Sequence, residues 1–199
     1  MYMVIKYFAP LFFLAYLLIA FAWPTIRTWR QTGINPVTFS NTDSAHDYVG
    51  KIFKLILALI PLVIVAYFSD QIYPYLLPAN YLDSSNLQFA GIGLFLLSLF
   101  WTAIAQMQMG NSWRIGIDSN KHSDLVVSGL FKVSRNPIFL GMIFTLVGFF
   151  MMLPNAITLL VMVTGYFLIQ IQIRLEEEFL LTQHGSKYQE YKDHTRRLL

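Results

Sequence analysis

The amino-acid sequence predicts an all-α integral membrane protein of about five transmembrane helices, the last two forming a tight hairpin that carries a cytoplasmic C-terminal helical extension. Three observations lead there. Of 199 residues, 56% are hydrophobic and only 13% charged, and the mean hydropathy is +0.52, unlike a soluble domain with one core. The apolar residues come in blocks of about 20, the length that crosses roughly 30 Å of hydrocarbon at 1.5 Å per residue. Thirteen of the fourteen Lys and Arg residues fall in the segments Arg27–Lys54, Arg114–Arg135 and Arg174–Arg197, with Lys6 the exception. Alternating loops put all three segments on one face, and removing any span scatters them over both.

The first block, about Val4 to Ile26, is too long in its apolar part for a cleaved signal peptide and lacks a small-x-small site. In the polar loop Arg27 to Gly50, the stretch Asn41 to Asp47 offers caps for a short surface helix, so Asp43, His46 and Asp47 read as capping residues. The second block, Ile52 to Ser69, contains Pro61, which kinks a membrane helix without ending it. Asp70 to Asn86 has two acids and no Lys or Arg, and faces away from the cytoplasm on this reading. The third block, Leu87 to Gln108, carries Gly91 and Gly93, which permit close helix contact. These glycines lie inside an apolar helix rather than after a strand, so they form no dinucleotide fingerprint. After the polar stretch Met109 to Asn136, the fourth block (Pro137 to Leu153) and the fifth (Ala156 to Ile173) are separated only by Pro154 and Asn155. The N-terminus is then external and the C-terminus cytoplasmic. We divide the chain into residues 1–86, N-terminal helices and loops, and residues 87–199, a candidate catalytic core with its connector and tail.

Several function classes recede. No cysteine is present, which removes disulfides, thiolate metal sites and a thiol nucleophile. The four histidines are scattered without ligand spacing, so no metal is expected. The net charge of +3 is a positive-inside signal and needs no nucleic acid.

The border at Arg135-Asn136-Pro137 organises the rest. Pro137 suits the first turn of a helix and biases Asn136 away from helical angles. The unpaired N–H groups of that helix start, with Arg135 beside them, form an anion-attracting lip at the membrane surface and a candidate binding site. Nothing interrupts the fifth helix until Gly185, so from Ala156 to His184 it runs about 43 Å and its end projects into water. Glu176, Glu177 and Glu178 sit on that stub. Ser186 and Gln189 have capping-box spacing for a last short helix, on which Tyr188 and Tyr191 share a face. Counting outward from the turn sets Gly141 opposite Gly165 and Tyr166, and brings the lip beside the glutamates.

These residues resemble the isoprenylcysteine carboxyl methyltransferases and their phospholipid-methyltransferase relatives over about residues 105 to 198. The family pattern Arg-His-Pro-x-Tyr corresponds to Arg135-Asn136-Pro137-Ile138-Phe139, and Glu-Glu-x-x-Leu to Glu176-Glu177-Glu178-Phe179-Leu180. Phe-Gly-x-x-Tyr-x-x-Tyr corresponds to the run from His184 to Tyr191, and Gly-Asn-x-Trp to Gly110-Asn111-Ser112-Trp113. Asn136 and Phe139 depart from the usual histidine and tyrosine.

The resemblance implies an S-adenosylmethionine (SAM) site between the fourth and fifth helices and a lipid-like or prenylated acceptor drawn from the bilayer. It implies cosubstrate contacts from Asn136, Pro137, Phe139, Gly141, Glu176, Glu177 and Tyr188, and acceptor contacts from Asn111 and Trp113. A carboxylate acceptor is already nucleophilic and needs an arginine to hold it, with Arg135 and Arg174 as the candidates. An amine or thiol needs a base, and a glutamate is available. Plainer roles stand beside these: Glu176 to Glu178 as a solvated stub paired with Arg174, Arg135 as a headgroup anchor, and Trp113, Tyr188 and Tyr191 as interfacial or packing residues. Two other classes stay open, an NADPH-dependent membrane reductase of the sterol or steroid type and a non-catalytic lipid-binding protein.

Overall fold

The computed structural model describes residues 1–33, 35–36, 44–114 and 124–199. Asp43, Lys121 and His122 lie outside the described residues, as does the side chain of Asn111. Among the described residues the α-helices are α1 (Tyr2–Thr32, passing through a π-turn at Leu18–Ala22), α2 (Ala45–Tyr67), α3 (Ser85–Met109), α4 (Pro137–Met152), α5 (Ala156–His184) and α6 (Ser186–His194), with short 3₁₀ turns in the connections. The helices α1, α2, α3 and α5 are long and apolar enough to cross a membrane, and α4 is a shorter apolar helix of 16 residues. Large apolar side chains such as Leu62, Leu97 and Phe100 stand more than 60% exposed on the outside of these helices, where lipid covers them. The chain is an integral, multi-pass membrane protein.

Helix ends follow local chemistry. Ser44 caps α2 by accepting from the Asp47 N–H at 3.2 Å, so residues 45–51 are the first turns of one continuous helix and not the separate surface helix expected. Asn155 forms a capping box with Thr158 at the start of α5, and the loop after α2 docks on that turn through Ala79 N–H to Pro154 O at 2.9 Å. Gly185 has φ +54 and ends α5, which favours glycine there. The expected capping box at Ser186 and Gln189 does not form, because Gly185 takes the cap position and Ser186 is already the first helical residue, while the Gln189 amide donates to Asp193 at 2.8 Å.

Pro24 explains a polar residue deep in α3. Its missing N–H leaves the Ala20 carbonyl without a helical donor, and the Gln106 side chain supplies one at 2.7 Å. This joins the π-turn of α1 to α3.

The closest helix contact is between α3 and α4. A Cβ on Gly91 would lie 2.9 Å from both Gly148 O and Met152 N, whereas one on Gly93 would meet nothing within 4 Å. Ser98 and Thr145 exchange a 2.8 Å hydrogen bond across the same seam, and the Trp101 indole donates to Pro137 O at 2.9 Å, anchoring the start of α4. Gly141 belongs to this seam. Its missing side chain leaves room for Ser98, Trp101 and Thr102 of α3, so the expected position opposite Gly165 and Tyr166 is corrected. Gly165 instead receives Leu146. The reason is rotational: α4 turns its small residues toward α3.

Candidate functional site

Successive residues on a helix point about 100° apart, and this separates the adjacent glutamates at the end of α5. Glu177 turns toward the start of α4 and the C-terminal tail. Its Oε1 accepts from Arg135 Nε (3.1 Å), Arg135 Nη2 (3.0 Å) and Asn136 Nδ2 (3.2 Å). Its Oε2 accepts from Arg197 Nε (3.0 Å) and Nη2 (2.8 Å). Arg135 Nη1 donates onward to the carbonyls of Lys192 and Thr195, and Asn136 Nδ2 and Ser134 Oγ donate to the Arg197 carbonyl. Tyr188 is buried beneath this lacing with its ring 6.1 Å from that of Tyr191, whose hydroxyl donates to Phe131 O at 2.6 Å. The result is a clamp that folds the tail back over the α4 start. Burial works to raise the Glu177 carboxyl, but the hydrogen bonds and charges of Arg197 and Arg135 outweigh it and hold the group below the usual carboxylate range.

Glu176 turns the other way, beyond the apolar part of α5, and lines two cavities. One has the more polar lining and is bordered by Ser112, Arg114, Asp124, Asn136 and Tyr191. The other is central and bordered by Lys54, Thr102, Phe139, Met142, Trp113 and Gln172. Met109, Arg114 and Glu176 line both, so the two spaces meet there. Burial pushes the Glu176 carboxyl up to about 7, with the Arg114 charge opposing the rise and the neighbouring Glu177 adding to it.

Among the described residues, three buried polar atoms of residues that line the central cavity have no hydrogen-bond partner: Thr102 Oγ1, Arg114 Nη1 and Gln172 Oε1. A buried polar atom without a partner costs about 1–3 kcal/mol, so such a set is suited to a ligand that satisfies it. Sequence reasoning passed over all three. Thr102 and Gln172 are polar residues within apolar helices, which is itself a signal of function, and Arg114 directly follows the Gly-Asn-x-Trp segment.

The expected site residues divide. Glu176, Phe139 and the buried Trp113 line the central cavity, while Arg135 and Asn136 border the polar one. Pro137 is buried in the first turn of α4 and Gly141 in the α3 seam. The guanidinium of Arg135 is committed to Glu177 and the tail carbonyls. Arg174 is exposed and bonds Gln170 O at 2.6 Å and Gln170 Oε1 at 3.0 Å, neither pairing with the glutamates nor reaching the cavities. Among the described residues, no group of three or more His, Cys, Asp or Glu is placed to hold a metal ion.

The model of a family described as phospholipid methyltransferase matches residues 87–187. The protein-S-isoprenylcysteine O-methyltransferase of Saccharomyces cerevisiae is 29% identical over 106 residues, covering 52% of this chain and 44% of that protein. The match thus spans less than half of that relative's length.

Proposed function

The chain belongs to the phospholipid methyltransferase family, and from that membership and its cavities we propose a SAM-dependent methyltransferase acting on a lipophilic acceptor at the cytoplasmic membrane face. The observation that carries this reading is the meeting of a cavity with charged and polar residues in its lining with a more apolar one at Glu176 and Arg114. A polar cosubstrate and a lipid-like acceptor need such a junction. The grouping of basic residues at the helix ends around it supports the cytoplasmic assignment, with the N-terminus external and the C-terminus cytoplasmic.

The donor set suits SAM, which needs a carboxylate for its ammonium or ribose hydroxyls and donors for its own carboxylate. Glu176 supplies the first, and the first-turn amides of α4 beside Asn136 supply the second. Bound SAM brings a methyl carbon already activated by its sulfonium. The work left to the chain is alignment and exclusion of water, which the apolar walls at Phe53, Leu57, Phe139 and Met142 provide. Lys54 and Arg114 give the central cavity a positive balance against one glutamate near its midpoint at neutral pH. That balance favours an anionic acceptor, such as the carboxylate of an isoprenylcysteine-like molecule, with the unpartnered Arg114 Nη1 holding it. Such an acceptor needs no base. Glu177, Arg135 and Asn136 act as positioning residues through the clamp, and Arg174 has no part in the transfer.

Calorimetry on purified protein with SAM and with NADPH tests the reading. We expect SAM to bind, Glu176→Gln to weaken it at least about tenfold, and Arg114→Gln to lower turnover of a carboxylate acceptor more than SAM affinity. Binding of NADPH without SAM would return the reductase class to favour.

A further inference from the structure

A groove between α1 and α3 opens on the outside of the bundle, away from Glu176. Two stripes of side chains build it. Ile19, Trp23 and Arg27 recur every four residues on α1, and Ala103, Met107 and Gly110 recur at four and three on α3, so each set follows one face of its helix. The two helices run parallel, since Tyr2 and Gln88 share a cavity at one end while Arg27 and Gly110 share the groove at the other. The stripe from Ile19 to Arg27 is then about 12 Å long at the helical rise and ends where α1 and α3 leave the membrane.

The groove is hollow on the α3 side because Ala103 and Gly110 are small, and a Cβ on Gly110 would meet nothing within 4 Å. Its back wall is Gln106, held by its 2.7 Å bond to the Ala20 carbonyl, together with the buried Trp113. Both residues also line the central cavity, so the wall is a partition between that cavity and the groove.

Chemistry changes along its length. Ile19, Trp23 and Met107 are exposed, so the inner part presents apolar surface to hydrocarbon. At the border end stands Arg27, the single charged residue among the groove's described lining. No carboxylate of the described residues pairs with it, and residues 1–42 contain no Asp or Glu at all. Exposed Trp23 and Trp29 flank it at the level where indoles meet headgroups. An apolar channel that ends on a guanidinium complements a molecule with a hydrocarbon chain and an anionic head. A zwitterionic lipid fits less well, because its ammonium would lie beside Arg27 with no carboxylate to receive it.

We propose that this groove binds one anionic phospholipid, with an acyl chain along Ile19, Trp23, Ala103 and Met107 and the phosphodiester on Arg27. The site is separate from the methyl-transfer chemistry and does not depend on that reading. Its α1 half precedes residue 87, where the family match begins.

Native mass spectrometry of the full chain, released from detergent with dioleoyl phosphatidylglycerol or dioleoyl phosphatidylcholine added, tests it by counting bound lipid. We expect the unaltered protein to retain one phosphatidylglycerol at least about tenfold more tightly than phosphatidylcholine, as charge-assisted hydrogen bonds allow. Arg27→Gln should abolish that preference, whereas Arg30→Gln, which removes an exposed charge outside the lining, should keep it. Ala103→Phe fills the apolar part with Arg27 intact and should lower phosphatidylglycerol affinity at least about tenfold as well. The two variants act by different means, so either one that elutes as a folded protein decides the matter. Glycerol 3-phosphate at millimolar concentration has the charge without the chain and should displace nothing. Equal retention of the two lipids by the unaltered protein overturns the proposal. So do equal losses in Arg27→Gln and Arg30→Gln, full phosphatidylglycerol binding by folded Ala103→Phe, or displacement by glycerol 3-phosphate.

Discussion

Replacing Glu177 with Gln removes the charge on which five hydrogen bonds from Arg135, Asn136 and Arg197 converge. The amide keeps one acceptor oxygen and must point its NH₂ at one of the two guanidinium groups. The Arg135 side chain, 8% exposed, is left buried without its counter-charge, whereas that of Arg197, 37% exposed, can turn to water. Breaking a buried pair costs roughly 3–5 kcal/mol, and the exposure of Arg197 discounts its share. We therefore expect about 3 kcal/mol, or roughly a hundredfold in the equilibrium for tail opening. Hydrogen exchange localises the loss: amides of α6 and of the residues after it should exchange about a hundredfold faster, while α3 and α4 keep their protection. Glu176→Gln is the control and should leave the tail protected. Unchanged tail exchange in Glu177→Gln together with lost SAM affinity would refute the clamp and make Glu177 a direct cosubstrate contact.

The remaining predictions use the same structure. Because the Glu176 carboxyl titrates near 7, SAM affinity should rise up to tenfold per pH unit below that point and level off above it, and Glu176→Gln should flatten the profile measured by calorimetry. Glu176 has a raised folded value, so it favours the folded state at acid pH, and that contribution fades as pH climbs from about 4.3 toward 7. Glu177 has the opposite sign: its clamp is fully present above the unfolded value of about 4.3 and is lost as pH falls through its lowered folded value, which tail exchange at graded pH will show. Gly91→Ala places a Cβ 2.9 Å from backbone atoms of α4 and should cost about 1–3 kcal/mol in thermal unfolding, whereas Gly93→Ala meets nothing within 4 Å and should be near neutral. Asn136→His restores the residue usual in the family, but a neutral imidazole has one N–H where the Asn136 amide donates to both Glu177 and the Arg197 carbonyl, so about 1 kcal/mol of stability should go while SAM affinity holds.

What could be read in the chain was what depends on near neighbours. The apolar blocks, Pro137 at a helix start and Gly185 at a helix stop are local facts, and α5 reaches His184 because nothing breaks it earlier. The rotation of α4 was hidden, because that helix is apolar around its whole circumference and has no polar face to show which side meets α3. Counting from the turn therefore aimed Gly141 at the wrong neighbour. Electrostatic partners were hidden for another reason. Glu177 takes one partner 42 residues before it and another 20 after it, and the sequence offers many arginines at such distances. Arg174, close by on the same helix, was the natural local guess, and the fold leaves it on the surface with Gln170.

The paired glutamates make sense as two halves of one device. A residue binding a cationic ligand in a half-buried cavity must keep a fixed direction, yet the end of a projecting helix is where a chain frays. Glu177, one position on and about 100° around, ties that end to the α4 start and to the tail through Arg135 and Arg197. On the proposed reading it thereby holds Glu176 toward the junction of the cavities without itself touching a ligand. Two consequences separate this from a shared ligand role. The Glu176→Gln defect should persist in a chain whose tail is held closed by a cross-link between α4 and the residues after α6, whereas the Glu177→Gln defect in SAM binding should be largely rescued by it. Equal persistence of both defects would mean that both carboxylates bind the cosubstrate, and the division of labour on α5 would be wrong.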